Sequence, residues 1–213
     1  KFLDIVESIN YKKNIILQGP PGVGKSFIAK RIAYSVIGFK DDTKIEMVQF
    51  HQSYSYEDFI QGYRPTDDGR FELKNGLFYE FCQRAKRDLT SNYVFIIDEI
   101  NRGNLSKIFG ELMLLIEADK RGPNTSVSLA YGKPNEPKFY IPKNVHLLGT
   151  MNTADRSLAM VDYALRRRFT FLNLQPEFKS VEFRQHLLDK GVTKPIIEKI
   201  IQRLVVLNDA IIN

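Results

Sequence analysis

Gly19-Pro20-Pro21-Gly22-Val23-Gly24-Lys25-Ser26 sets glycines, a lysine and a hydroxyl at the GxxxxGK[ST] spacing, a pattern suited to gripping a chain of phosphates. The glycines let backbone N–H groups close around phosphate oxygens, Lys25 reaches toward the β and γ phosphates, and Ser26 offers a hydroxyl oxygen to Mg²⁺. Such a loop works only between a strand that fixes its start and a helix whose N-terminal partial charge faces the anion. Asn14-Ile15-Ile16-Leu17-Gln18 supplies the strand, and Phe27-Ile28-Ala29-Lys30 continues a helix.

A second apolar run, Tyr93-Val94-Phe95-Ile96-Ile97, ends in Asp98-Glu99. Side chains alternate along a strand, so the two carboxylates can take different work. Asp98 can orient Mg²⁺ through water while Glu99 polarises an attacking water. The pair would also suit a cap on the next helix, but a phosphate loop upstream favours hydrolysis. A third run, Val145 to Gly149, leads to Asn152, a polar side chain able to hold the water or the γ-phosphate. Leu158 to Phe169 then reads as a helix ending in Arg166-Arg167-Arg168. Those cations either answer the helix dipole or reach the γ-phosphate of a neighbouring subunit as an arginine finger.

The elements that must position these residues follow from hydrophobic pattern. Short, continuous apolar strands are expected at Asn14 to Gln18, Ile45 to Phe50, Tyr93 to Ile97, Val145 to Gly149 and Phe169 to Leu174. Amphipathic helices are expected at Ser26 to Ile37, Leu77 to Asp88, Leu105 to Ala118 and Leu158 to Arg166. Their alternation is the signature of an α/β fold with a parallel sheet covered on both faces. Hairpins are expected at Arg70 to Phe78, around Asn75-Gly76, and at Val127 to Ile141, around Gly132 to Pro137. After Pro176 the pattern turns helical, with Glu182 to Asp189 and a helix starting at Thr193-Lys194-Pro195. The domain expectation is therefore a nucleotide-binding core over 1–175 and the start of a helical lid over 176–213.

Composition fits this. The 213 residues are 43% hydrophobic and 26% charged, which excludes disordered and collagen-like classes and allows one sizeable core. The single cysteine, Cys82, cannot form an internal disulfide and sits in a helical apolar stretch suited to inert packing. No apolar run approaches the ~18 residues of a membrane span, and the reading is a soluble, cytoplasmic protein with no membrane partner. Lys at position 1 and the apolar end at Asp209 to Asn213 suggest a piece trimmed from a longer chain. Lys and Arg exceed Asp and Glu by 31 to 25, an excess of 6. Lys25, Arg102, Arg156, Arg166, Arg167 and Arg168 alone equal that excess, so charge balance calls for no DNA-binding patch.

Taken together, the phosphate loop, Asp98-Glu99, Asn152 and Asp162-Tyr163-Ala164-Leu165-Arg166-Arg167-Arg168-Phe169 resemble the AAA+ ring motors. More narrowly, Asp98-Glu99-Ile100-Asn101-Arg102, Met151-Asn152-Thr153-Ala154-Asp155-Arg156-Ser157 and Phe50-His51-Gln52-Ser53-Tyr54-Ser55-Tyr56-Glu57-Asp58-Phe59 are similar to the McrB family. Those are GTP-specific motor subunits of modification-dependent restriction systems. The resemblance implies a AAA+ P-loop NTPase fold with a five-stranded parallel sheet between helices, and a homo-oligomeric, hexameric ring. It also implies GTP and Mg²⁺ as fuel and cofactor, DNA translocation, and an endonuclease partner of the McrC type. DNA would be met through a domain or partner outside this chain. Carried over by position, Gly19, Pro20, Pro21, Gly22, Val23, Gly24, Lys25 and Ser26 bind phosphate, and Ser26 and Asp98 serve the metal. Glu99 serves the water, Asn152 is sensor 1, and Arg167 and Arg168 are finger candidates. Asn101, Arg102, Asp155 and Arg156 lie near the γ-phosphate or the subunit interface.

How the base is chosen stays open. Asn152-Thr153-Ala154-Asp155 has the look of an NKxD element, and Asp119-Lys120-Arg121-Gly122 that of DxxG. The first is already explained by a phosphate-facing Asn152, and the second follows a helix rather than the carboxylate strand. Residues 1–13 or the lid are the alternatives. Two further functional readings stand beside the GTP motor: an ATP-dependent remodelling protein of the MoxR-like kind, and a nucleotide-gated assembly scaffold.

Overall fold

The computed structural model of the chain describes residues 2–153 and 163–212. In chain order the elements are α1 (Phe2–Lys12), β1 (Asn14–Gly19), α2 (Lys25–Ile37), β2 (Ile45–Gln49), α3 (Tyr56–Phe59), β3 (Gln61–Pro65), β4 (Phe71–Asn75) and α4 (Leu77–Arg87). Then follow β5 (Tyr93–Asp98), α5 (Leu105–Phe109), β6 (Val145–Asn152), α6 (Tyr163–Arg166), β7 (Thr170–Asn173), α7 (Val181–Asp189) and α8 (Lys194–Ile212).

Five strands form one parallel sheet in the order β2-β5-β6-β1-β7. Both faces are covered, and alternation along each strand divides the apolar residues between them. Ile15 and Leu17 of β1, with Val94 and Ile96 of β5, join an aliphatic core that also holds Ile5 and Ile9 of α1 and Ala29, Ile32 and Ala33 of α2. Ile16, Phe95 and Ile97 point the other way, into an aromatic core with Phe59 of α3, Phe78 and Phe81 of α4 and Phe109 of α5. Phe59 is its hub: it stacks on Phe78 at 4.8 Å and meets Phe95 edge-on at 5.6 Å. Cys82 lies fully buried in the same core. Burial pushes its thiol up to about 12, so it is an inert packing group.

Four expectations need correction. The hairpin pairs β3 with β4 antiparallel, and the chain turns at Thr66 to Arg70, with Gly69 at φ 79°. Asn75-Gly76 is not that turn. Gly76 is the N-cap of α4, and a Cβ on it would lie 2.4 Å from the carbonyl carbon of Phe59. The stretch from Val127 to Ile141 pairs only through the bridge of Val127 with Phe139, because the Pro-rich, polar middle offers no ladder. The helix expected over Leu105 to Ala118 stops at Phe109, since Gly110 adopts φ 48°, ψ −129°, and short 3-10 turns follow at Gly110–Met113 and Ala118–Lys120. The fourth is an omission: residues 2–12 form α1, whose Ile5 and Ile9, four apart, pack against α2.

Candidate nucleotide site

In a parallel sheet the carboxyl ends of neighbouring strands lie side by side, and here the register sets Gly19 of β1 beside Asn152 of β6. Ile97 of β5 pairs with Gly149 on the other side of β6, so Asp98 and Glu99 emerge next to the same edge. Loop residues Pro21, Gly22, Gly24, Lys25 and Ser26, with Phe27, face Asp98, Glu99 and Asn152 across a cleft of about 370 Å³.

The loop takes its shape from its glycines. Gly22 and Gly24 both sit at φ 82°, a left-handed backbone that side-chain-bearing residues adopt at a cost. Gly24 is also the N-cap of α2 and gives no side-chain hydrogen bond to the first turn, so those amides are oriented for an anion. Lys25 is 8% exposed. Its Nζ donates to the carbonyls of Gly19 at 3.0 Å and Pro20 at 2.8 Å and to Asn152 Oδ1 at 2.5 Å. Burial pulls its pKa below the ordinary lysine value, and Glu99 and then Asp98 oppose that shift by their charge.

Across the cleft, Asp98 Oδ1 accepts from Ser26 Oγ at 3.0 Å and from Thr150 Oγ1. Thr150 Oγ1 in turn accepts from the Glu99 backbone N–H at 3.2 Å. Thr150 is 1% exposed and escaped the sequence reading. Its signal was its place two residues before Asn152, on the same face of the strand. Glu99 holds φ 53°, a left-handed conformation that is strained for a residue with a side chain and that aims its carboxylate back at the cleft. Its Oε1 accepts from Asn152 Nδ2, while Oε2 lies 3.3 Å from Arg102 Nε in an ion pair without hydrogen-bond geometry. Asn101, in the 3-10 turn after Glu99, is 9% exposed with a buried Oδ1 that has no hydrogen-bond partner among the described residues.

The arginines stand elsewhere. β7 runs parallel to β1 with Thr170 beside Ile15, so Arg166, Arg167 and Arg168 lie at the amino end of the sheet, away from the loop of their own chain. Arg166 and Arg167 are exposed. The Arg168 side chain is 7% exposed, donates through Nε to the Met113 carbonyl at 2.7 Å and pairs with Glu117 at 3.2 Å. Of the two finger candidates, then, Arg168 is bound within its own chain and Arg167 is presented outward. Asp119 lies beside this cluster and pairs with Lys120 at 2.7 Å, so Asp119 to Gly122 is remote from the loop. Asp155 and Arg156 lie outside the described residues.

Interposing the Asn152 strand between the phosphate-loop strand and the carboxylate strand is the arrangement of the AAA+ P-loop nucleoside triphosphatases, and this chain has that fold. It belongs to the AAA domain family of the dynein-related subfamily, which its residues 14–169 match.

The chain is 57% identical over 207 residues to the Type IV methyl-directed restriction enzyme EcoKMcrB subunit of Escherichia coli (strain K12), covering 97% of this chain and 45% of that protein. It is 27% identical over 222 residues to the Type II restriction enzyme BsuMI component YdiS of Bacillus subtilis (strain 168), covering 87% of this chain and 64% of that protein. The chain thus spans about half the length of the first relative and under two thirds of the second. The likeness to McrB-type subunits runs through nearly the whole chain rather than resting on its motifs alone.

Proposed function

We propose that this chain is the motor core of a restriction system, binding and hydrolysing GTP with Mg²⁺ between the subunits of a hexameric ring. The observation that carries the hydrolytic part is the line of contacts from Lys25 through Asn152 to Glu99. It ties the cation that grips phosphate to the carboxylate that activates water. Preference for GTP, DNA translocation and activation of a McrC-type endonuclease rest on likeness to McrB-type subunits, and are supported by the 57% identity.

The chain's own groups divide the chemistry. Loop amides and Lys25 hold the β and γ phosphates, with Lys25 exchanging its carbonyl partners for phosphate oxygens. Ser26 and Asp98 present a hydroxyl and a carboxylate 3.0 Å apart, hard oxygen donors that fit Mg²⁺ completed by phosphate and water. When bound, Mg²⁺ supplies charge neutralisation on the transferring phosphate. Glu99 takes the proton of the attacking water and Asn152 keeps that carboxylate in line. Arg167 of a neighbouring subunit answers the charge developing on the γ-phosphate. In this reading 1–175 form the nucleotide-binding core, α7 and α8 begin the lid, and the protein works in the cytoplasm. Among the described residues no helix is long and apolar enough to cross a membrane.

The test is turnover of GTP and of ATP by the purified chain with Mg²⁺, alone and with the endonuclease partner. Faster GTP turnover, rising with protein concentration as interfaces form, is expected. Faster ATP turnover would sink the guanine assignment and favour an ATP-dependent remodelling protein.

A further inference from the structure

A second cleft, of about 290 Å³, shares no residue with the nucleotide site. It opens between the start of β3, one face of α4 and the segment 128–140. Gln61 lines it; that residue is 3% exposed, and its Nε2 is buried with no hydrogen-bond partner among the described residues. A buried donor left this way costs stability that an arriving acceptor restores. Lys86 lines the same cleft, with Nζ 3.9 Å from the ring centre of Tyr140 and 4.8 Å from that of Phe139. Among the described residues no carboxylate lies within ion-pair distance of it, and burial lowers its pKa. Glu136, the acid at the rim, accepts from its own turn at Lys133 N, 3.1 Å away.

The walls decide what can enter. Tyr79 stacks on Phe139 at 5.3 Å, and Lys86 covers faces of Phe139 and Tyr140. These rings are therefore occupied, whereas binding of a nucleic-acid strand needs open ring faces on which bases stack. Among the described residues no arginine lines the cleft to fork a phosphate. Lys133 and Lys138 also line the cleft but are exposed, and Gln83 is half-buried; the ammonium and the amide least open to solvent, those of Lys86 and Gln61, match a monoanion with two acceptor oxygens. We propose that this cleft binds a single carboxylate on a short apolar stem, with Gln61 Nε2 and Lys86 Nζ as its donors and the Tyr79–Phe139 pair against the stem. An acidic side chain of a partner polypeptide and a free small dicarboxylate share this chemistry.

The test is a titration of the isotope-labelled chain, read on the Gln61 side-chain amide and the Lys86 resonances. Glutarate, a blocked Gly-Glu-Gly peptide and oligo-dT are added separately. A saturable shift with glutarate or with the peptide is expected. Tighter binding of the peptide assigns the source to a polypeptide, and equal or tighter binding of glutarate to a small molecule. Gln61→Leu and Lys86→Met, which keep the side-chain bulk, should each weaken binding by about tenfold or more. The proposal is overturned if neither carboxylate saturates, if oligo-dT alone moves these resonances, or if folded Lys86→Met binds as well as the parent chain.

Discussion

Lys25 donates to the side-chain oxygen of Asn152 at 2.5 Å, across 127 residues of sequence. The other end of that amide donates to Glu99. One neutral side chain therefore keeps a lysine and a glutamate in a shared cleft without letting them collapse into a direct ion pair. Such a pair would withdraw both the proposed phosphate grip and the proposed base. The parallel register that pairs Gly19 with Asn152 makes this span short.

Asn152→Ala is expected to lower kcat for nucleotide hydrolysis by about 10²-fold, the scale of losing one positioned hydrogen-bonding group. KM should move little, because the loop amides and Lys25 remain. Steady-state kinetics with a single-turnover comparison checks this. A change confined to KM would make Asn152 a binding residue only.

The arginines should separate by substitution. Arg167→Ala is expected to leave folding stability unchanged and to cut turnover by about 10³-fold, the lower range for a finger. Arg168→Ala should instead cost about 1–3 kcal/mol of stability, because it strips the Met113 carbonyl and Glu117 of a nearly buried partner. Mixing Arg167→Ala with Glu99→Gln subunits should restore part of the activity, since one interface type then carries both an intact glutamate and an intact finger. Denaturant melts and the mixing assay together read these outcomes.

Acid should weaken the fold through His146. It is fully buried, lies 3.0 Å from Lys13 Nζ, and its Nδ1 has no hydrogen-bond partner among the described residues. Burial first, then the charges of Lys13 and Arg121, push its pKa down to about 3. The unfolded chain binds a proton near pH 6.5 that the folded chain refuses, so stability falls as pH drops from 6.5 toward 3. Between pH 7.5 and pH 5 the loss from this group is about 2 kcal/mol. Urea melts at the two pH values should show it, and His146→Asn should remove most of this pH dependence. An unchanged slope in that variant would contradict the assignment.

Legibility in the sequence falls as the range of the interaction grows. The phosphate loop is legible because strand, loop and helix are contiguous, and Asp98-Glu99 because a strand announces it. Thr150 is not, since its part depends on β6 lying beside β5, a relation no local pattern encodes. Arg167 and Arg168 are identical in type and adjacent, and long-range contacts such as those of Arg168 with the carbonyl of Met113 and the carboxylate of Glu117 tell them apart. The helix expected past Phe109 fails because Gly110 turns where Tyr56 packs against it. Asn75-Gly76 misled as a turn because its glycine answers a close approach to α3 instead.

The most direct measurement is nucleotide turnover by the Glu99→Gln variant, which keeps the side-chain length and an oxygen for the Asn152 amide but gives up the carboxylate proposed as base. The variant is expected to bind GTP with Mg²⁺ and assemble as the parent does, while hydrolysis falls by at least about 10²-fold. Turnover persisting at the parent rate, with nucleotide bound, would contradict it.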